Sequence, residues 1–293
     1  METASEWDEC RSRWSRWSRS RMRVLGAGCW VLGGLLMGCR VDTRPPVSGP
    51  LPPAIAEPPA DHPLRAEILR GKGILEATVE SLPANVGNAL RCTSCHLDGG
   101  ATEVLGWKGV YARFPQYRSR SAEIQVIEDR VNDCFERSMA GRRLAFDAAP
   151  MKAIVAYFAW LSRDTPVTGG IAGGRLTAAF DTLRPDVASG ERTYAAQCAL
   201  CHGANGEGTL LATPVWGPRS YTIGAGMARY RTAAAFIHAN MPRITPGTLS
   251  RQEALDVAAY IDGKPRPDFA GKENDWPRGG APADTPYETT SNP

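Results

Sequence analysis

Two five-residue stretches repeat the pattern Cys-x-x-Cys-His: Cys92-Thr93-Ser94-Cys95-His96 and Cys198-Ala199-Leu200-Cys201-His202. One helical turn presents both sulfurs and the imidazole on the same side of the backbone. Such a thiol pair can also be a redox dithiol or half of a zinc site, but a histidine directly after the second cysteine is the pattern of c-type haem attachment. Two copies on one chain imply two covalently bound haem c groups. Cys92, Cys95, Cys198 and Cys201 would form the thioethers, and His96 and His202 would each ligate an iron.

An iron held by one histidine needs a sixth ligand or keeps an open position. In the second half Met241-Pro242 offers a thioether downstream of His202 and just ahead of the closing helix, with His238 as a competitor one helical turn earlier. In the first half the matching distance, counted from His96, lands on Cys134. Met139 and Met151 are the alternatives there. The chain has eight cysteines; four are in the haem motifs and Cys10, Cys29 and Cys39 fall near the start, so Cys134 is left over in the globular region. An odd cysteine in an exported protein needs an explanation, and a small buried thiol is the plainest one.

The elements that must position these residues follow from apolar periodicity. Each half reads as an opening amphipathic helix, a haem motif, a loop-rich stretch and a closing helix. The first pair of helices falls near residues 64–78 and 150–161, and the second near 187–197 and 250–261. Pro150 suits a first helical turn, and Ser250 with Glu253 reads as a capping box. The expected fold is mainly α: two class I-like cytochrome c domains in tandem, at 64–163 and 179–264. Pro166 and a run of glycines make 164–178 a linker, and Pro, Gly, Asp and Thr make 265–293 a disordered tail.

The chain starts with a leader. The apolar run Val24–Met37 is too short for a comfortable bilayer span and suits a signal peptide. Its end, Leu36-Met37-Gly38-Cys39, resembles a bacterial lipobox, which makes residues 1–39 a signal peptide and Cys39 a lipid anchor. An accidental cysteine in a plain secretory signal is the alternative. Translation from Met22 would give the leader an ordinary length. Proline-rich residues 40–63 read as a tether. Export to the periplasm, membrane-tethered as a lipoprotein, is expected, and it agrees with haem c assembly outside the cytoplasm.

The net charge of +3 hides an uneven distribution, because seven arginines precede residue 41. Without them the protein is near neutral, with no clustered basic face for nucleic acid.

The segment from Phe114 to Arg120 and on through Glu128-Asp129-Arg130-Val131-Asn132-Asp133-Cys134-Phe135-Glu136-Arg137-Ser138-Met139 resembles the dihaem thiosulfate dehydrogenases of the cytochrome c superfamily. The likeness extends from about residue 64 to residue 262. It implies an oxidoreductase that joins two thiosulfates into tetrathionate at a His96/Cys134-ligated haem. A His202/Met241 haem would then pass electrons to an external acceptor such as a soluble cytochrome. The family's anion-binding arginines map onto Arg120 and Arg130, and its serine onto Ser138; Arg118, Arg137, Arg142 and Arg143 crowd the same region. An anionic thiolate favours ferric iron, and arginine's planar fork of donors suits sulfonate oxygens. Some members carry a lysine beside the second methionine; here Asn240 stands there, which removes a lysine ligand switch. A non-catalytic electron carrier, a tetrathionate reductase and an enzyme acting on a carrier-protein thiol are the competing functions.

Overall fold

The computed structural model describes residues 55–167 and 177–290. The leader, Cys39, most of the tether and the middle of the linker lie outside the described residues.

In the first half, α1 (Arg65–Glu76) packs against α3 (Ala149–Leu161), and α2 (Ile127–Asp133) closes the far side. Ile68, Leu75, Phe135, Ile154 and Tyr157 fill the space between them, each almost fully buried. In the second half, α4 (Val187–Gln197), α5 (Tyr230–Asn240) and α6 (Arg251–Asp262) pack around Tyr194, Phe236, Leu255 and Val257. None of the described helices is long and apolar enough to cross a membrane.

The two halves cross their opening and closing helices in the same way. A Cβ on Gly71 would sit 2.0 Å from the carbonyl oxygen of Ala153, and one on Gly190 2.0 Å from that of Asp256. At each crossing the backbones meet with no room for a side chain. Helix starts follow the sequence. Pro150 sits in the first turn of α3, and Asp186 accepts from the Ser189 amide ahead of α4. Ser250 and Glu253 satisfy each other's amides at the start of α6, at 3.2 and 2.8 Å. Such caps are each worth about 1 kcal/mol.

α2 runs directly into a wider, π-type turn over Cys134–Ser138. Such insertions accompany functional sites because they re-aim side chains. Before it lies a short antiparallel hairpin, β1 (Gln116–Arg118) and β2 (Glu123–Gln125), with Arg120 in its loop.

Two compositional expectations fail. Residues 265–290 are not a disordered tail: Trp276, Asp275 and Thr289 are buried. The Trp276 amide donates to the Arg120 carbonyl at 2.7 Å, and Asp275 takes both arms of Arg137 at 2.6 and 2.7 Å. The end of the tether is fixed as well, with Ile55 on the first core and the Ala56 carbonyl accepting from the Trp160 indole. A few aromatic and acidic anchors order segments whose average composition reads as unstructured.

The halves are stapled together beside α2. Asn88 Nδ2 donates to the Ser138 carbonyl at 2.9 Å and to the Ser220 carbonyl at 3.0 Å. Thr222 Oγ1 donates to the Arg137 carbonyl at 2.5 Å. Leu90 packs into an apolar cluster with Tyr221, Ala225 and Ala228 of the second half.

Candidate active site

Each haem motif faces its own cavity. The first, about 400 Å³, is lined by Cys92, Cys95, His96 and Cys134 among others. The second, about 370 Å³, is lined by Cys198, Cys201, His202 and Met241. Leu90, Arg91 and Cys95 line both, so a single wall separates them.

Both histidines are oriented by the same device. His96 Nδ1 lies 2.5 Å from the Leu105 carbonyl, and His202 Nδ1 2.9 Å from the Thr213 carbonyl. A carbonyl only accepts, so Nδ1 carries the proton and Nε2 is left with a lone pair, as ligation of iron requires. Burial pushes the His96 imidazole down to about 4 and lowers His202 as well, which keeps both rings neutral. Trp107 stacks on His96 with ring centroids 4.7 Å apart. The thiol pair, the fixed ring and the adjoining cavity in each half fit a covalently bound haem c.

The distal sides differ. In the first cavity Cys134 receives a hydrogen bond from Arg130 Nη1 at 3.1 Å, one helical turn away. The Cys134 charge holds the Arg130 guanidinium above its ordinary range, ahead of the opposing effect of burial. Arg118 lines the same cavity, as does Ser138. Met139 also lines it, from a buried position, whereas Met151 is wholly inside the first core. The second cavity is lined by Met241 with Leu211, Val215, Phe236 and Ile237, and by Arg91 and Arg243. His238 is turned elsewhere: its Nδ1 faces the Leu249 carbonyl at 2.9 Å, and it does not line the cavity. Asn240 folds back to donate to the Phe236 carbonyl at 3.1 Å.

One site expectation is corrected. Arg120 does not line the first cavity. Its Nη1 donates to the Gly224 carbonyl of the second half at 2.8 Å, and its guanidinium lies over the Trp276 ring at 4.6 Å. The hairpin loop points it across the junction between the halves. Arg118, on β1 just before that loop, faces the cavity instead. Arg137 is spent on Asp275, and Arg143 on Asp129 and Glu136. Sequence reasoning missed Trp107. A tryptophan in the loop after a ligating histidine has no spacing rule of its own.

Residues 84–167 match the family model of the SoxA/TsdA cytochrome c domain, and residues 185–261 that of cytochrome c oxidase cbb3-type subunit III. The chain is 41% identical over 231 residues to a thiosulfate dehydrogenase of Psychrobacter arcticus, covering 76% of this chain and 71% of that protein. It is 40% identical over 254 residues to a thiosulfate dehydrogenase of Allochromatium vinosum, covering 83% and 93%. Among solved structures it resembles the thiosulfate dehydrogenase (TsdBA) of Marichromatium purpuratum in its as-isolated form. The TM-score is 0.62 and the identity 33%, over 74% of this chain and 50% of that one, so the match spans half of the longer molecule.

Proposed function

Because the chain belongs to the thiosulfate dehydrogenase family and holds two haem c groups in tandem cytochrome c domains, we propose that it oxidises thiosulfate at the Cys134 side of the first cavity and releases electrons through the second. The observation that carries this reading is the convergence of His96, Cys134, Arg130 and Arg118 on one cavity. Two thiosulfate dianions form one sulfur–sulfur bond and become one tetrathionate dianion, giving up two electrons and no proton. Bound haem would supply two one-electron acceptors; His96 and Cys134 are the residues that would hold the first iron, and His202 and Met241 the second.

The protein's own part is positioning and charge. Arg130 donates to the Cys134 sulfur and fixes its place, and its remaining N–H groups with those of Arg118 donate to sulfonate oxygens. Ser138 adds a hydroxyl at the same wall. Arg120 acts one layer out, fixing the loop at Gly224 against the first half. Leu90, Arg91 and Cys95 keep the two cofactor sites side by side, so electrons cross one wall. The apolar surroundings of Met241 suit a ligand that exchanges electrons and binds no substrate, and a soluble cytochrome is the natural acceptor. The leader supports a periplasmic location, with Cys39 as a lipid anchor.

The test is to mix oxidised holoprotein with thiosulfate and follow the haem absorbance bands. Prompt reduction, lost in Cys134→Ala with both haems still attached, is the expected result. Wild-type protein that dithionite reduces but thiosulfate does not would sink the forward reaction. Tetrathionate re-oxidising the reduced protein would then identify a reductase.

A further inference from the structure

Two cofactor sites that share a wall also share whatever charge that wall carries. The first cavity is lined by four arginines, Arg91, Arg113, Arg118 and Arg130, and by one acid, Glu103. The second is lined by two arginines, Arg91 and Arg243, and, among the described residues, by no carboxylate. Of the three residues that line both, Leu90 and Cys95 are neutral. Arg91 is therefore the charged side chain, among the described residues, that lines both cofactor sites.

Its place is fixed from several sides. The Arg91 amide donates to Ser94 Oγ at 3.0 Å, and the Ser94 amide donates to the Arg91 carbonyl at 2.9 Å. The Cys92 amide next to it donates to Thr78 Oγ1 at 3.0 Å, and the Leu90 amide to Asn88 Oδ1 at 3.1 Å. Asn88 is itself the staple between the halves. Arg91 Nη2 meets Glu80 Oε1 at 3.3 Å, with side-chain exposures of 52% and 58%. The pair is open to water, so Glu80 weakens the charge of Arg91 without cancelling it, and salt screens what is left.

An electron entering a haem lowers the charge of that site by one. A cation beside the site favours the entry, and it does so for every cofactor within its reach. Axial ligands and burial also set haem potentials, but they act on one site at a time. A cation on the common wall moves both sites in the same direction.

We propose that Arg91 is a charge shared by the two cofactor sites, a positioning residue for electron transfer that raises both haem potentials together. The inference needs only the two haem groups and goes beyond the thiosulfate reading.

The experiment is a redox titration of the dihaem protein, with each ferric iron followed separately by electron paramagnetic resonance, in the wild type and in Arg91→Gln. Each haem's reduction equilibrium should fall about threefold, which is ~28 mV for a one-electron couple at about 59 mV per tenfold. The loss should shrink as salt is raised. Arg113→Gln is the comparison, because Arg113 lines the first cavity alone. It should lower the first haem's potential and leave the second where it was. Glu80→Gln removes the counter-charge and should raise both potentials. A shift confined to one haem in Arg91→Gln, no shift in either, or a shift of the same size at low and high salt overturns the inference. Equal shifts of both haems in Arg113→Gln would overturn it too, since sharing would then need no common wall. If Arg91→Gln yields no dihaem protein, Glu80→Gln decides: a rise in both potentials supports the proposal, and a rise in one or neither refutes it. The potentials are read without thiosulfate, so this result stands apart from the test of the proposed function.

Discussion

His96 and His202 are held alike, each through Nδ1 on a loop carbonyl, and each at the foot of a similar crossing of opening and closing helices. Across the iron positions the likeness stops. Cys134 takes a hydrogen bond from the Arg130 guanidinium and shares its cavity with Arg118, while no guanidinium hydrogen bond to Met241 is present among the described residues, although Arg91 and Arg243 line its cavity. On the proposed function the same attachment plan would serve two tasks, with the residues opposite each histidine deciding which. An apolar thioether site exchanges electrons with little rearrangement. On the same proposal, the thiol site with its two guanidinium groups is the one suited to an anion.

The largest expected effect comes from making the first site resemble the second. Arg130→Met removes the charge beside Cys134 and replaces it with an apolar side chain of similar length. The second-order rate of thiosulfate-driven reduction should fall about a hundredfold, on the scale of a lost contact to a charged group of about 2–3 kcal/mol. Reduction by dithionite should stay fast. If both reductants slow together, Arg130 supports the fold and not the substrate.

Met241→Leu probes the other side. Rapid mixing should still show one haem reduced by thiosulfate, because the first cavity is untouched. Loss of the thioether should shift the second haem's potential and slow steady-state delivery to an added cytochrome by about tenfold. Unchanged delivery would mean that electrons leave by another route.

The smallest effect concerns a charge outside both cavities. Asp262 is buried with Arg266, and it accepts from Tyr221, a residue of the second cavity wall. Burial pushes its carboxyl up from 3.8 to about 7, ahead of the opposing pull of Arg266. Between those values the folded protein keeps a proton that the unfolded chain has released. Its contribution to stability is therefore complete at acidic pH and is lost as pH rises to about 7, by at most about 1.4 kcal/mol per pH unit. Denaturant midpoints at a series of pH values should show this slope in the wild type and lose it in Asp262→Asn. Parallel curves would mean that Arg266 keeps the carboxylate ionised throughout.

What could be read in the sequence was local. The haem motifs and the Ser250 cap lie within short stretches whose spacing carries physical meaning, and the structure lines one cavity with His96 and Cys134 and another with His202 and Met241. The role expected of Arg120 failed because neighbouring arginines on a hairpin choose opposite directions, and spacing from Cys134 cannot tell Arg118 from Arg120. The segment 265–290 misled for a related reason. Its ordering depends on Asp275 and Trp276 meeting Arg137 and Arg120, and composition averages those anchors away.

The ion pair between Arg137 and Asp275 joins positions 138 residues apart. Loops of that span close late, since local helices form before distant contacts repay their entropy. During synthesis the first Cys-x-x-Cys-His sequence emerges long before the strap that braces Arg137 and Arg120. The helices around Cys92 and Cys95 can thus form first, and Arg137 and Arg120 take their final places only when residues 275 and 276 pack against them. A chain cut short before residue 275 would lose the carboxylate that holds Arg137 and the ring under Arg120, and the hairpin would be left without its brace.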